Sequence, residues 1–383
     1  MKNGIIKSKF YYAFFSLIFI FYFLSTAINS KEENTKPLYI QKIPEDPATP
    51  SDILKKRNVS ILFSGDTHFE WAIEEMQEKF SFNYPVDDIK SVFLESDFRI
   101  LNLETTISTQ STPLNSKSYV FRSDPENASL LNFLDLDVAV LANNHVMDMG
   151  SAGLDDTISN LHTLGIPSVG AGNNIQDASS PYYFKLRGIT YALLSFSSIG
   201  DKQLFSTSKN PGVAPLSSHV YKQISAVKKN ADHVIISLHW GMEYSPRPEK
   251  AQILIARRMI DSGATAVIGH HPHIPQGVEF YKSGVIAYSL GNFLFGSINH
   301  YQTDNFIVKL LFHPEFKTLE GLEIFPVSGN YKKMGHKISF LNSEQSEKFW
   351  KRFYTQCYEL NNDKPNISIQ PDGRGIWLKK NNQ

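Results

Sequence analysis

The chain has 383 residues, of which 42% are hydrophobic and 20% charged, a globular rather than a disordered composition with length enough to bury a large core. Lysine plus arginine equals aspartate plus glutamate at 38 each, so no general attraction to nucleic acid or to an anionic membrane operates, and an anionic ligand has to be recognised locally. The single cysteine, Cys357, excludes an intramolecular disulfide and thiolate metal sites, and reads as a packed thiol.

Residues 1–30 read as an export segment. Lys2, Lys7 and Lys9 precede an apolar and aromatic run from Phe10 to Leu24, and Ser25-Thr26-Ala27 offers small residues to a signal peptidase. The run is also nearly long enough to remain as a membrane anchor, and both outcomes place the rest of the chain outside the cytoplasm. Residues 31–57, polar and carrying Pro37, Pro44, Pro47 and Pro50, suit an extended tether. The main domain is expected over 58–335, followed by a C-terminal helix and tail over 336–383.

From Val59 onward, short aliphatic runs alternate with segments of helical period, the pattern of βα units and a largely parallel sheet. Strands are expected at Val59–Phe63, Arg99–Leu103, Val138–Leu141, Tyr191–Phe196, Val234–Leu238, Ala266–Ile268 and Val285–Tyr288. Phe69, Ile73, Met76 and Phe80 recur at helical spacing after the first strand. Helices are expected at Gly153–Leu164, closed by Gly165, and at Arg247–Ser262, with Gly263 just past its end. Strands at Phe306–Phe312 and Leu322–Phe325 and an aromatic helix at Glu344–Tyr358 complete the reading.

Five of these strands run into polar clusters at their C-terminal ends: Asp66-Thr67-His68, Glu104, Asn143-Asn144-His145, His239, and His270-His271-Pro272-His273. Ligands of open α/β sheets bind outside the carboxyl ends of the strands, so these residues are expected to meet. Carboxylates, imidazoles and an asparagine carbonyl suit divalent manganese, iron or zinc. Asp66, His68, Glu104, Asn144, His239, His271 and His273 exceed what one tetrahedral ion needs, which argues for two divalent metal ions with Glu104 as the shared ligand. His145 is the candidate proton donor, oriented by Asp148. Glu243 could shape the pocket, Arg247 could grip a phosphate or carboxylate or start a helix, and Asn292 could line the site or serve structure. Each residue also has a plainer reading: Asp66 as a helix cap, Glu104 as a loop carboxylate, Asn143 and Asn144 as turn formers, His239 as a core histidine. The triple histidine has no obvious structural use.

Asn102-Leu103-Glu104, Leu141-Ala142-Asn143-Asn144-His145 with Asp148 and Gly150, His239-Trp240-Gly241 with Glu243-Tyr244, Gly269-His270-His271-Pro272-His273 and Tyr288-Ser289-Leu290-Gly291-Asn292-Phe293 together resemble the CapA-type capsule-synthesis proteins, also called poly-gamma-glutamate biosynthesis proteins. That family is similar to the calcineurin-like metallophosphoesterases, and the resemblance runs from about Val59 to Gly296. It implies a four-layer α/β/β/α sandwich, with Asp66, His68 and His273 on one metal, Asn144, His239 and His271 on the other, and Glu104 between them. Glu104 stands where the wider superfamily usually has aspartate, and Asn143 where it usually has glycine.

The resulting expectation is an envelope-located metal-dependent hydrolase acting in capsule or poly-gamma-glutamate synthesis or export. Its partners would be an anionic polymer or phosphoester substrate and membrane-bound capsule synthesis machinery, without nucleic acid. The rival readings are a non-catalytic polymer-binding assembly factor and a general periplasmic phosphoesterase.

Overall fold

Strand after strand in this chain is apolar on both faces, which requires each sheet to be covered on both sides. A computed structural model describes residues 40–41, 58–114, 117–296, 304–328 and 336–380. These belong to one unit, Tyr39–Gln383. The export segment, and the tether apart from Ile40–Gln41, lie outside the described residues. No described helix is long and apolar enough to cross a membrane.

The chain first supplies β1 (Val59–Thr67), α1 (Ala72–Lys79), β2 (Phe98–Leu103), β3 (Val138–Val140), α2 (Gly150–Thr163) and β4 (Ser168–Val169). Next come β5 (Tyr182–Leu186), β6 (Ile189–Ser197), α3 (His219–Val227), β7 (His233–His239), α4 (Lys250–Asp261), β8 (Ala266–His270), β9 (Val278–Tyr281) and β10 (Gly284–Ala287). The last portion gives β11 (Asp304–His313), β12 (Thr318–Ser328), α5 (Ser343–Asn361), β13 (Ile367–Ile369) and β14 (Gly375–Leu378).

Two large sheets result. One has the order β13-β14-β12-β11-β1-β2-β3-β4, the other Ile40–Gln41-β5-β6-β7-β8-β10-β9. Their facing sides share a core in which Ile61, Phe63 and Ile100 meet Leu193, Ile235 and Ile268. One position further along, Leu62, Leu101 and Ala139 join a second cluster with Ile73 and Leu154 from α1 and α2. On the other sheet Leu194, Ile236 and Val267 pack with Ile224 of α3 and Met259 of α4. The period of two thus sorts each strand between an inner and an outer core, giving helix, sheet, sheet and helix layers.

The expected largely parallel sheet is replaced by two mixed ones: β1-β2-β3-β4 and β6-β7-β8-β10 run parallel, while the pairs β5–β6, β9–β10, β11–β12 and β1–β11 are antiparallel. Short turns explain the flanks. Arg187 and Gly188 both have positive φ, 44° and 81°, the requirement of a tight two-residue hairpin turn, and they join β6 to β5, a strand without an expectation from sequence. The helix expected from Arg247 starts at Lys250 because Glu249 and Gln252 form a reciprocal capping box. Helix α5 is part of the main body: Phe349, Phe353 and Cys357 enter the core between the sheets. The Cys357 sulfur accepts a 3.3 Å hydrogen bond from the Val278 amide, and burial pushes its thiol pKa up, so this cysteine packs and does not react.

Strand β1 extends past Phe63 to Thr67. The ladder to β2 shifts register between Ser64 and Asp66 and then resumes, pairing Asp66 with Asn102 and Thr67 with Leu103. Gly65 sits at that shift, and a Cβ there would fall 1.9 Å from the carbonyl oxygen of Gly291. Gly65→Ala is therefore expected to lower stability by about 1–3 kcal/mol or more. A thermal melt of the variant checks this, and an unchanged midpoint would show that the Gly65–Gly291 approach is dispensable.

Candidate metal centre

The register shift in β1 puts Asp66 at the meeting line of the two sheets. Its amide donates to Gly291 O at 3.1 Å, and its carbonyl accepts from Phe293 N at 2.8 Å. Its carboxylate takes Asn102 Nδ2 from β2 at 2.8 Å and the His271 backbone amide, just past β8, at 3.1 Å. His273 Nδ1 lies 3.2 Å and His270 Nδ1 3.5 Å from it. Burial pushes the Asp66 carboxyl up, but the imidazoles of His270 and His273 against it and the charge of His273 outweigh this and hold it well below the ordinary range. Reciprocally, Asp66 raises His273 against the opposing effect of burial.

Glu104 follows β2 directly, its amide held by Thr67 O at 2.7 Å. The side chain is fully buried, and neither carboxylate oxygen has a hydrogen-bond partner. Its Oε1 lies 3.4 Å from His239 Nε2. Burial, reinforced by the charges of Asp66 and Glu243, pushes its pKa well above the ordinary value. His239 Nε2 also lies 2.7 Å from Asn144 Oδ1, so an imidazole, an amide oxygen and a carboxylate from β7, the β3 loop and the β2 end converge. Burial and the neighbouring His271 keep His239 neutral, and His271 itself is lowered to about 3, by burial first and then by His273.

Two sets of donor atoms emerge, each within 4.8 Å: Asp66, Glu104 and His239, and Glu104, His271 and His273. Glu104 is in both. An unpaired buried carboxylate costs on the order of 1–3 kcal/mol or more, and unpaired buried atoms recur at His271 Nδ1 and His68 Nε2. A divalent cation would satisfy these oxygen and nitrogen donors, so the residues fit such an ion.

The grouping differs from the expected one, since Asp66 goes with His239 and His271 with His273. His68 lies in neither set: Nδ1 is 2.6 Å from Glu70 Oε2, and its ring stacks on Phe121 with centroids 4.5 Å apart. Asn292 Oδ1 lies 2.9 Å from His273 Nδ1 and positions that ring. Arg247 on the surface forms a two-pronged pair with Glu359, at 2.6 and 2.7 Å. Glu243 lines a cavity of about 590 Å³ together with His145 and His273.

His145 Nδ1 is 2.7 Å from Asp148 Oδ2, whose other oxygen takes Lys117 Nζ at 2.5 Å. Burial lowers the His145 pKa more than Asp148 raises it. The ring is thus neutral near pH 7, with the Nδ1 proton assigned toward Asp148 and a lone pair at Nε2. Sequence reading missed Lys117, Glu70 and the aromatic wall around His68. Asn102 belongs to the Asn102-Leu103-Glu104 block already read at the end of β2, but Lys117 and Glu70 are placed by loops without a pattern.

The architecture and this cluster define an α/β protein of two face-to-face sheets whose strand ends assemble a buried histidine–carboxylate centre suited to divalent cations. The family described as bacterial capsule synthesis protein PGA_cap matches residues 60–297, and the chain belongs to it. The PGA biosynthesis protein CapA of Bacillus subtilis (strain 168) is 33% identical over 240 residues, covering 62% of this chain and 63% of that protein. The capsule biosynthesis protein CapA of Bacillus anthracis is 30% identical over 249 residues, covering 63% and 61%. The chain thus spans less than two thirds of the length of both relatives. Among solved structures, a phosphatase from Mycoplasma pneumoniae is similar with TM-score 0.45 and 12% identity over 71% of this chain and 94% of that one, too distant to bear on chemistry.

A cation must displace the proton that Glu104 keeps above the ordinary carboxylate range. Metal affinity is therefore expected to be greatest above that raised pKa and to weaken as pH falls through it, with protons released on binding. Calorimetric titration of manganese or zinc in buffers of different ionisation enthalpy measures both; binding that is independent of pH and releases no proton would contradict this account of Glu104.

Proposed function

We propose that this chain is an envelope-located metal-dependent hydrolase acting in capsule or poly-gamma-glutamate synthesis or export. The observation that carries the reading is Glu104, a buried carboxylate with both oxygens unpartnered and common to two donor sets. Two divalent ions would be held by Asp66, Glu104 and His239, with Asn144 in reach, and by Glu104, His271 and His273. When bound, such ions supply a water of lowered pKa and stabilise oxygens that gain charge.

The remaining work falls to residues of the chain. His145 lines the cavity with a neutral ring, so its Nε2 accepts a proton, and can return it to a departing oxygen once charged. Asp148 fixes the tautomer, and Lys117 holds Asp148 and the Asn144 carbonyl oxygen, at 2.5 Å each. Asn292 holds His273, and Asn102 holds Asp66. Phe121 lies against the His145 ring with centroids 4.0 Å apart and excludes water from that side.

Family membership supports the capsule role, and the sequence of residues 1–30 supports the envelope location. The test is elemental analysis of the full chain, paired with turnover of phosphomonoester, phosphodiester and polyglutamate substrates. His145→Ala is expected to retain metal and lose turnover by roughly 10²–10⁴-fold. Protein without stoichiometric divalent metal would overturn the centre, and metal without turnover of any substrate would replace the hydrolase with a polymer-binding assembly factor.

A further inference from the structure

The cavity over His145 and His273 is walled by Trp71, Tyr119, Phe121, Tyr244 and Phe295. Three of these rings keep large exposed surfaces: Trp71 is 42%, Tyr119 64% and Tyr244 37% exposed. Exposed aromatics gathered around one opening, rather than scattered, mark a binding surface. Trp71 and Tyr119 meet edge to face with centroids 6.0 Å apart, and Trp71 and Phe121 do so at 5.1 Å, which makes a corner instead of a flat patch.

Backbone strain points the same way. Trp71 has φ 61° and Tyr244 φ 58°, left-handed conformations that bulky side chains rarely adopt. Each costs on the order of 1–3 kcal/mol and persists where the surroundings hold it. Tyr244 is held by its amide on Pro272 O at 2.8 Å, within the histidine segment of the centre itself. His271 and His273 share the same strain, at φ 94° and 59°. The loop that presents Tyr244 is therefore built together with the loop that presents the donors.

Charge narrows the ligand. Among the described residues, no lysine or arginine lines the cavity, and its carboxylate is Glu243. A polyanionic chain would find no lysine or arginine on this wall and one repelling carboxylate. A single anionic group suits only the floor, at the centre, while the wall suits an uncharged ring, with Glu243 free to accept a hydrogen bond from a hydroxyl or ring N–H.

We propose that this cavity takes a small phosphoester whose uncharged ring, a sugar or a planar heterocycle or arene, stacks on Trp71 and Tyr244 while its phosphate faces the centre. This rests on reading the centre as the place where the anionic group binds. It identifies what meets the centre as a ring-bearing ester instead of a polyglutamate backbone, which has no ring.

The experiment measures binding of glucose 1-phosphate, phenyl phosphate and butyl phosphate to the manganese-loaded full chain. Quenching of Trp71 reports it, since Trp240, Trp350 and Trp377 are buried, and calorimetry reports it for the variants. At least one ring ligand is expected to bind about ten-fold more tightly than butyl phosphate. Preference for glucose 1-phosphate assigns a sugar, and preference for phenyl phosphate a planar ring. The gain should vanish in Trp71→Ala and shrink in Tyr244→Ala, while butyl phosphate affinity stays unchanged; Trp71→Leu serves if the alanine variant does not fold. Butyl phosphate binding as tightly as both rings, a gain that survives both substitutions, or no binding of any of the three would overturn the proposal. A ring-dependent gain without turnover would leave it standing and remove only the hydrolase.

Discussion

The whole arrangement depends on one buried carboxylate. Asp66 accepts Asn102 Nδ2 from the first sheet on one oxygen and the His271 amide from the second sheet on the other. Its own backbone is tied to Gly291 and Phe293. Two sheets packed only through apolar side chains could slide along each other, because apolar contact is not directional. Hydrogen bonds to a single charged group are directional, and they fix where the strand ends of one sheet lie against those of the other. The site's geometry is thus a consequence of the seam. Gly65 serves the same end, since only a residue without a Cβ lets β1 approach Gly291 closely enough.

Electrostatically the cluster is incomplete with protein groups alone. Asp66 is kept ionised by imidazoles, whereas Glu104, a few ångströms away in the same donor set, is driven to keep its proton by burial and by Asp66 and Glu243. His239 and His271 are kept neutral and add lone pairs but no charge. Neutral imidazoles around an unsatisfied carboxylate is an arrangement that positive charge stabilises. Next to it stands a cavity wall that, among the described residues, offers rings and no lysine or arginine. In the proposed reading the two halves would divide the labour: the centre would hold cations that meet an anionic group, and the rings would stack on the body that carries it.

Much of this was legible in the sequence, for identifiable reasons. The strands from β1 to β10 that carry ligands are buried on both faces, so they stand out as apolar runs, and polar residues at their ends are conspicuous. Asp66, Glu104, Asn144, His239, His271 and His273 are brought together as that pattern implies. His68 was read from its spacing to Asp66; Glu70 takes its Nδ1, and its buried Nε2 is left without a hydrogen-bond partner. The second sheet and the β5–β6 hairpin were harder to see, because an Arg-Gly turn is a weak signal and parallel and antiparallel strands share composition. Lys117, Trp71 and Tyr119 come from loops whose course depends on tertiary contacts, and no periodicity marks them. The partner of Arg247, Glu359, lies on α5 at the far end of the chain, a distance that no local motif spans.

The central claim is that Glu104 is shared between two ions. X-ray absorption spectroscopy of the full chain loaded with two equivalents of manganese or zinc reads this directly. The account predicts nitrogen and oxygen ligands together with a metal–metal scattering path at about 3.5–4 Å, lost in Glu104→Ala. Two bound ions without a metal–metal path, or a path unchanged by Glu104→Ala, would contradict it.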